Sequence, residues 1–389
     1  MRRFLLSVTI AIVIPLPAAA QSTRVEVIAE EQKKKAGQLG VEGPGEAEMV
    51  IRRILLSPLL TGGDGIYPWF GSVFGGTGAA IGAGYLKRME QGGHVNLQGG
   101  VSINSSLLAR LTFAAPDMWR GMLHVEGTAQ WVDAREVSFY GLGPDTQKGD
   151  RQLYDFSPKE LSATATLRPR RYLFLTGGYL HINLATERDL PLLPPEEMPG
   201  IGSELRYHVA RGLVAFDTRQ SPGYTTSGTY VSAAVERHHE RAGQPYSFVM
   251  RELEVSQFVP LVREQFVVAL RGLVTTASTG AGHEVPFMLA PYLGSGSTLR
   301  GYSNRRFTDR NRVLLSGEYR WRPSRYLDMA LFVDAGQVAA DRHEFRLGDF
   351  ETAWGIGARF HGPLFTAFRV EAARGREGTR LIFAGSQAF

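Results

Sequence analysis

From about residue 76 onward, apolar and polar positions alternate in short runs. In HVNLQGGVSIN, Val95, Leu97, Val101 and Ile103 stand opposite Asn96, Gln98, Ser102 and Asn104. In GMLHVEGTAQWV, Leu123, Val125, Ala129 and Trp131 stand opposite His124, Glu126, Thr128 and Gln130. LSATATLR repeats the pattern with Leu161, Ala163, Ala165 and Leu167. A period of two means strands with one apolar and one polar face. Sixteen such segments start near residues 76, 94, 106, 121, 134, 158, 172, 205, 228, 246, 264, 311, 325, 351, 364 and 379. The connections between them alternate in length. NSS, VDAR, RPRR, LVRE, RPSR and HGP are short, whereas GLGPDTQKGDRQLYDF and AADRHEFRLGDF are long. An even number of strands, with short turns at one end and long loops at the other, predicts an all-β fold. Its form is a 16-stranded antiparallel transmembrane β-barrel over residues 76–389. A soluble sandwich alternates too, but gives no reason for loop lengths to segregate.

The amino end reads differently. Met-Arg-Arg, an apolar run and Ala18-Ala19-Ala20 predict a signal peptide over residues 1–20; an uncleaved anchor is the alternative. Residues 21–75 read as a periplasmic leader. A short amphipathic helix over 45–57 would plug the lumen or lie on the membrane, or the leader is loosely ordered. After the signal, no apolar run approaches the ~18 residues of a membrane helix.

Composition narrows the function classes. Cysteine is absent, so the fold rests on its core and hydrogen bonds. The net charge is +5, and removing Arg2 and Arg3 leaves +3, too weak a bias to point to nucleic acid. Gly-x-Ser-x-Gly is missing, and GSGSTLRG lacks the lysine of a phosphate loop. His238 and His239 point to opposite faces of a strand and read as a solvated edge, a poor metal pair. The chain therefore reads as no enzyme, with no cofactor and no metal. An outer-membrane phospholipase is the enzyme alternative, and no motif marks it.

The long connection at about 277–310 holds GSGSTLRGYSNRRF between the eleventh and twelfth strands. If it folds into the lumen, Arg300 needs carboxylate partners there. In strand twelve, Val313, Leu315, Tyr319 and Trp321 form the apolar face, so Glu318 points inward. In the next strand, Leu327, Met329, Leu331, Val333 and Ala335 face lipid, so Asp334 also points inward. On pattern alone, a locked Arg300 and an exposed one stand side by side.

Leu299-Arg300-Gly301-Tyr302 after a glycine-rich run resembles the loop motif of the BamA/TamA/FhaC barrel superfamily, the bacterial surface antigen family. Phe332-Val-Asp334-Ala-Gly336 is similar to that family's strand motif, and Glu318 in GEYRW sits where the family carries an inward glutamate. Asp217-Thr-Arg219, followed by Gly228, resembles its periplasmic turn motif. Phe389, ending an alternating run, resembles the C-terminal recognition signal of outer-membrane barrels in general. The resemblance spans roughly 76–389 and implies a bacterial outer-membrane protein whose loop folds inward and is locked by Arg300. It implies a role in assembly or insertion of outer-membrane proteins, or in translocation. The implied partners are outer-membrane lipid, unfolded outer-membrane protein clients and a separate periplasmic partner protein. Residues 21–75 are too few for the POTRA domains that such proteins carry, which puts insertase activity in doubt. The implied gate is a weak seam between the first strand, near 76–85, and the last, near 381–389. The alternative is a passive channel or structural surface protein. Its lumen would be basic through Arg168, Arg271, Arg320, Arg359 and Arg369.

Overall fold

The computed structural model describes residues 64–389 except 91, 188–196, 263–264, 363–365 and 386. The signal peptide and the helix over 45–57 lie outside the described residues. One antiparallel sheet runs through sixteen long strands. They are β1 (Gly65–Gly71), β2 (Ala80–Arg88), β3 (His94–Ser102), β4 (Leu107–Ala114), β5 (Leu123–Phe139), β6 (Lys159–Arg170), β7 (Leu173–Leu184) and β8 (Leu205–Asp217). Then come β9 (Gly228–Glu240), β10 (Phe248–Pro260), β11 (Phe266–Thr279), β12 (Asn311–Ser324), β13 (Leu327–Ala339), β14 (Glu351–His361), β15 (Thr366–Gly375) and β16 (Gly378–Ala384).

Each strand pairs with the next along the chain, from β1 with β2 to β15 with β16. Among the described residues no pairing joins β16 to β1, so the barrel is nearly closed, with one seam. Side chains alternate as the pattern requires. Leu161, Leu331, Val333, Trp354, Leu381 and Phe383 are exposed on the outside, while Ala269, Leu314, Ala330 and Ala353 are buried inside. Pairing satisfies the backbone groups that hydrocarbon cannot hydrogen-bond.

The count of sixteen holds, but two of its members change. The barrel begins at Gly65, not at 76, and the segment starting near 134 belongs to β5. A register shift between Ala134 and Val137, with Glu136 at φ 55°, interrupts the alternation there without ending the strand. VDAR is therefore a bulge and no turn. Beyond it, β5 pairs with a short strand at Gln152–Phe156. The first strand is hidden by Pro68, which lacks an amide donor and reads against a central strand. In the structure β1 is an edge strand, where a proline is tolerated. The seam consequently lies at β1, and the glycine-rich run near 76–85 is the second strand. Its Gly84 makes room for the inward Tyr67 ring, whose hydroxyl donates to Asn96 Oδ1 at 2.7 Å.

Candidate functional site: the Arg300 network

The segment between β11 and β12 is buried at successive points along its length. Phe287 and Met288 pack with Phe139, Tyr154 and Tyr207 in an apolar cluster at the long-loop end. Leu293, Leu299, Tyr302 and Phe307 form a second cluster with Leu273 and Leu314 of the wall. Arg305 Nη2 donates to the Phe287 carbonyl at 3.0 Å, tying the two ends of the segment together.

Arg300 is 1% exposed. Its Nε and Nη2 donate to Asp334 Oδ2 and Oδ1, each at 2.8 Å, a bidentate fork on β13. The Arg300 backbone N–H adds a bond to Asp334 Oδ2 at 3.1 Å. Nη1 donates to Glu318 Oε1 on β12 at 2.6 Å and to Glu371 Oε1 on β15 at 3.3 Å. The guanidinium carbon sits 3.6 Å from the ring centroid of Phe332. Burial opposes the charge on Arg300, but Glu318, Asp334 and Glu371 outweigh it and raise the pKa above its ordinary value.

The network extends beyond this residue. Arg320 Nε donates to Glu318 Oε2 at 2.7 Å, Arg359 Nη2 to Glu318 Oε1 at 2.7 Å, and Arg369 to Glu371. Three buried carboxylates thus meet four buried guanidiniums. Arg320, Arg359 and Arg369 are accordingly committed to ion pairs and are not a free basic lining. Arg271 is paired as well, with Glu254 at 2.9 Å. Arg168 lies over the Phe174 ring.

The neighbours of Arg300 explain the rest of the motif. A Cβ on Gly301 would stand 2.6 Å from the Gly375 nitrogen and 2.8 Å from Ala353 Cβ, so only glycine lets the loop lie this close to the β14–β15 wall. The Tyr302 hydroxyl donates to Glu351 Oε2 at 2.6 Å, and burial pushes its pKa up to about 12. A Cβ on Gly336 would meet Leu293 Cδ1 at 2.8 Å, so this position leaves space for the loop.

The turn after β8 forms a second cluster. Asp217 accepts from Arg219 through the backbone N–H at 3.0 Å, Nε at 2.9 Å and Nη2 at 2.8 Å. Gly228 has φ +111°, and a Cβ there would stand 2.6 Å from the Thr218 carbonyl oxygen. Held in this way, residues 218–227 cross to the far wall. Tyr224 stacks on His361 at 3.8 Å and donates to Asp328 Oδ2 at 2.8 Å. Arg320 Nη1 donates to the Thr225 carbonyl at 3.2 Å, and the Thr366 N–H to the Gly223 carbonyl at 2.8 Å.

Three placements differ from expectation. β16 stops at Ala384, and Phe389 does not continue the strand but packs inward, 6.0 Å from Phe258 between ring centroids. His238 is no solvated edge: it is buried and stacked on Phe248, while His239 is exposed. Glu371 was missed, although the alternation that turns Glu318 inward also applies to it, with exposed Phe368 on the opposite face. No sequence signal couples Tyr224 to His361, because that contact depends on the turn crossing the lumen.

Residues 209–378 match the Omp85 superfamily domain. The matched stretch runs from β8 through β15 and holds the whole Arg300 network. The fold is similar to that of BamA from Haemophilus ducreyi lacking POTRA domains 1-3. Identity is 15% and the TM-score 0.60, over 82% of this chain and 69% of that one. CdiB from Escherichia coli is 14% identical with a TM-score of 0.56, over 82% of this chain and 61% of that one. CdiB from Acinetobacter baumannii is 12% identical with a TM-score of 0.52, over 82% of this chain and 58% of that one. The chain therefore spans about six-tenths of either CdiB. No curated protein matches it. Residues 209–378 thus form an Omp85 superfamily domain, set in a 16-stranded barrel of BamA-like fold.

Proposed function

We propose that this Omp85 barrel assembles or inserts outer-membrane proteins by opening at the seam between β1 and β16. The carrying observation is the unpaired edge. β1 and β16 are seven residues each, shorter than their neighbours, and no ladder is found between them among the described residues. An exposed strand edge is a template for another strand. In hydrocarbon that templating is strong, because unpaired amides have no water to turn to. A client strand adding to β1 would satisfy that edge.

The same structure weighs against a passive channel, because the lumen is crossed by the Arg300 network and by the turn at 218–227. Translocation of a chain through the lumen would require both to move. Insertion through the wall requires neither.

The test is reconstitution of residues 21–389 in liposomes with a denatured small barrel protein. Its folding is timed against empty liposomes and against liposomes holding an unrelated porin. Faster folding than both is expected. Because the chain has no cysteine, a pair introduced within 66–70 and 381–383 is the sole thiol pair. Oxidation should abolish the acceleration and reduction restore it. Acceleration that survives the cross-link would sink the seam.

A further inference from the structure

Near the long-loop end, the outer wall carries charge that the lumen chemistry does not use. The outward positions of β8 and β9 include Arg206, His208, Arg237 and His239, and Arg241 follows β9 directly. The three histidines of this face meet across strands. His208 pairs with His181 on one side and His239 on the other, and the His181 and His208 rings lie 5.2 Å apart. One rung nearer the short-turn end, Arg251 of β10 is exposed beside Val235, and its Nη1 donates to Ser278 Oγ at 2.8 Å. Acidic groups are nearly missing. Glu204, 3.8 Å from Arg206, precedes β8, and Glu236, Glu252 and Glu254 sit at alternate positions that face the lumen. Among the described residues, no carboxylate lies within 4.0 Å of Arg237, Arg241 or Arg251.

Directly below this belt the wall is apolar, with Tyr179, Val214, Val235 and Leu253 all exposed. It is also indented. Gly177 and Gly212 are cross-strand partners, and the missing side chains leave a groove of about 640 Å³. Leu175, Val214, Val235 and Leu253 wall the groove, and Arg251 stands at its side. Cations above an indented apolar wall match a molecule with anionic and acyl parts at the same spacing. A guanidinium facing hydrocarbon is costly unless an anion reaches it.

We propose that this face binds a phosphorylated, acylated lipid of the surrounding leaflet. Its phosphate lies on Arg237 and Arg241, and an acyl chain lies in the groove over Gly177 and Gly212 beside Arg251. Charge complementarity selects this occupant over a zwitterionic lipid, and the groove selects it over a free anion. The site lies on the wall of β7–β10, across the barrel from the seam between β1 and β16, so it stands or falls independently of client insertion.

The test is native mass spectrometry of the full barrel in non-ionic detergent, titrated with lipid A, phosphatidylcholine or inorganic phosphate. Lipid A should bind in preference to phosphatidylcholine. Arg237→Gln with Arg241→Gln should weaken lipid A binding about twenty-fivefold, at roughly fivefold for each cation removed near a lipid surface. Gly177→Leu should also weaken it. A Cβ there meets nothing within 4 Å, so the variant fills the groove without disturbing the wall. Heat-modifiable gel mobility confirms that each variant is folded. Equal retention of the two lipids overturns the proposal, as does unchanged lipid A binding in the folded arginine double variant. Displacement of lipid A by equimolar inorganic phosphate would make the site one for the free anion, and unaffected binding in Gly177→Leu would overturn the groove.

Discussion

Arg300 holds Asp334 by a bidentate fork and shares Glu318 with Arg320 and Arg359. The two carboxylates therefore lose different things when a partner is removed. In Arg300→Ala, Asp334 keeps no guanidinium among the described residues, and a buried carboxylate is left alone. Breaking a buried pair in this way costs about 3–5 kcal/mol. The expected result is a lower temperature for the loss of compact gel mobility. Arg300→Lys should recover little of it, because an ammonium cannot make the planar fork. Adding Asp334→Asn to Arg300→Ala should recover part of the loss, since the orphaned charge is then gone. Full additivity in that double-mutant cycle would mean that the two side chains do not couple. Glu318→Gln should cost more than Asp334→Asn, because Glu318 pairs with Arg300, Arg320 and Arg359 whereas Asp334 pairs with Arg300 alone.

At the scale of the element, the turn 218–227 depends on one backbone conformation. Gly228 starts β9 at φ +111°, with the Thr218 carbonyl where a side chain would begin. Gly228→Ala must both strain the backbone and push Thr218 away. A penalty of roughly 1–3 kcal/mol is expected, read as a fall in the gel-shift temperature. Tyr224→Phe, which keeps the stack on His361 and loses only the bond to Asp328, should cost less. A Gly228→Ala variant as stable as the parent would mean that the turn adapts freely. This scale also shows how far the sequence is legible. The inward positions of Glu318 and Asp334 follow from alternation, because β12 and β13 keep strict register over those residues. Alternation misleads where a bulge shifts it in β5, and it overlooks β1, where Pro68 breaks the strand pattern. The two errors cancel in the count. Contacts that cross the lumen, such as Tyr224 on His361 or Phe389 against Phe258, leave no local trace. They depend on which walls face each other, and a period of two says nothing about that.

Across the whole barrel, the obstacles in the lumen stand in series. Phe287 and Met288 pack with Phe139 and Tyr154 at the long-loop end, the Arg300 network ties the segment to β12, β13 and β15, and residues 218–227 cross near the short-turn end. Resistances in series add, so the largest one left sets the current. The unmutated barrel should therefore show only small, erratic conductance in planar bilayers. Arg300→Ala alone should change it little, because the turn at 218–227 still spans the short-turn end. Tyr224→Ala alone should also change it little, because the buried loop remains. Only the combination should raise it clearly, by more than the sum of the two single increments, while Phe287 and Met288 at the long-loop end hold it below that of an open pore. Large openings in the unmutated protein would restore the channel reading and remove the argument that traffic must use the wall. Large openings in Arg300→Ala alone would show that the turn is no barrier, so that the loop by itself seals the pore.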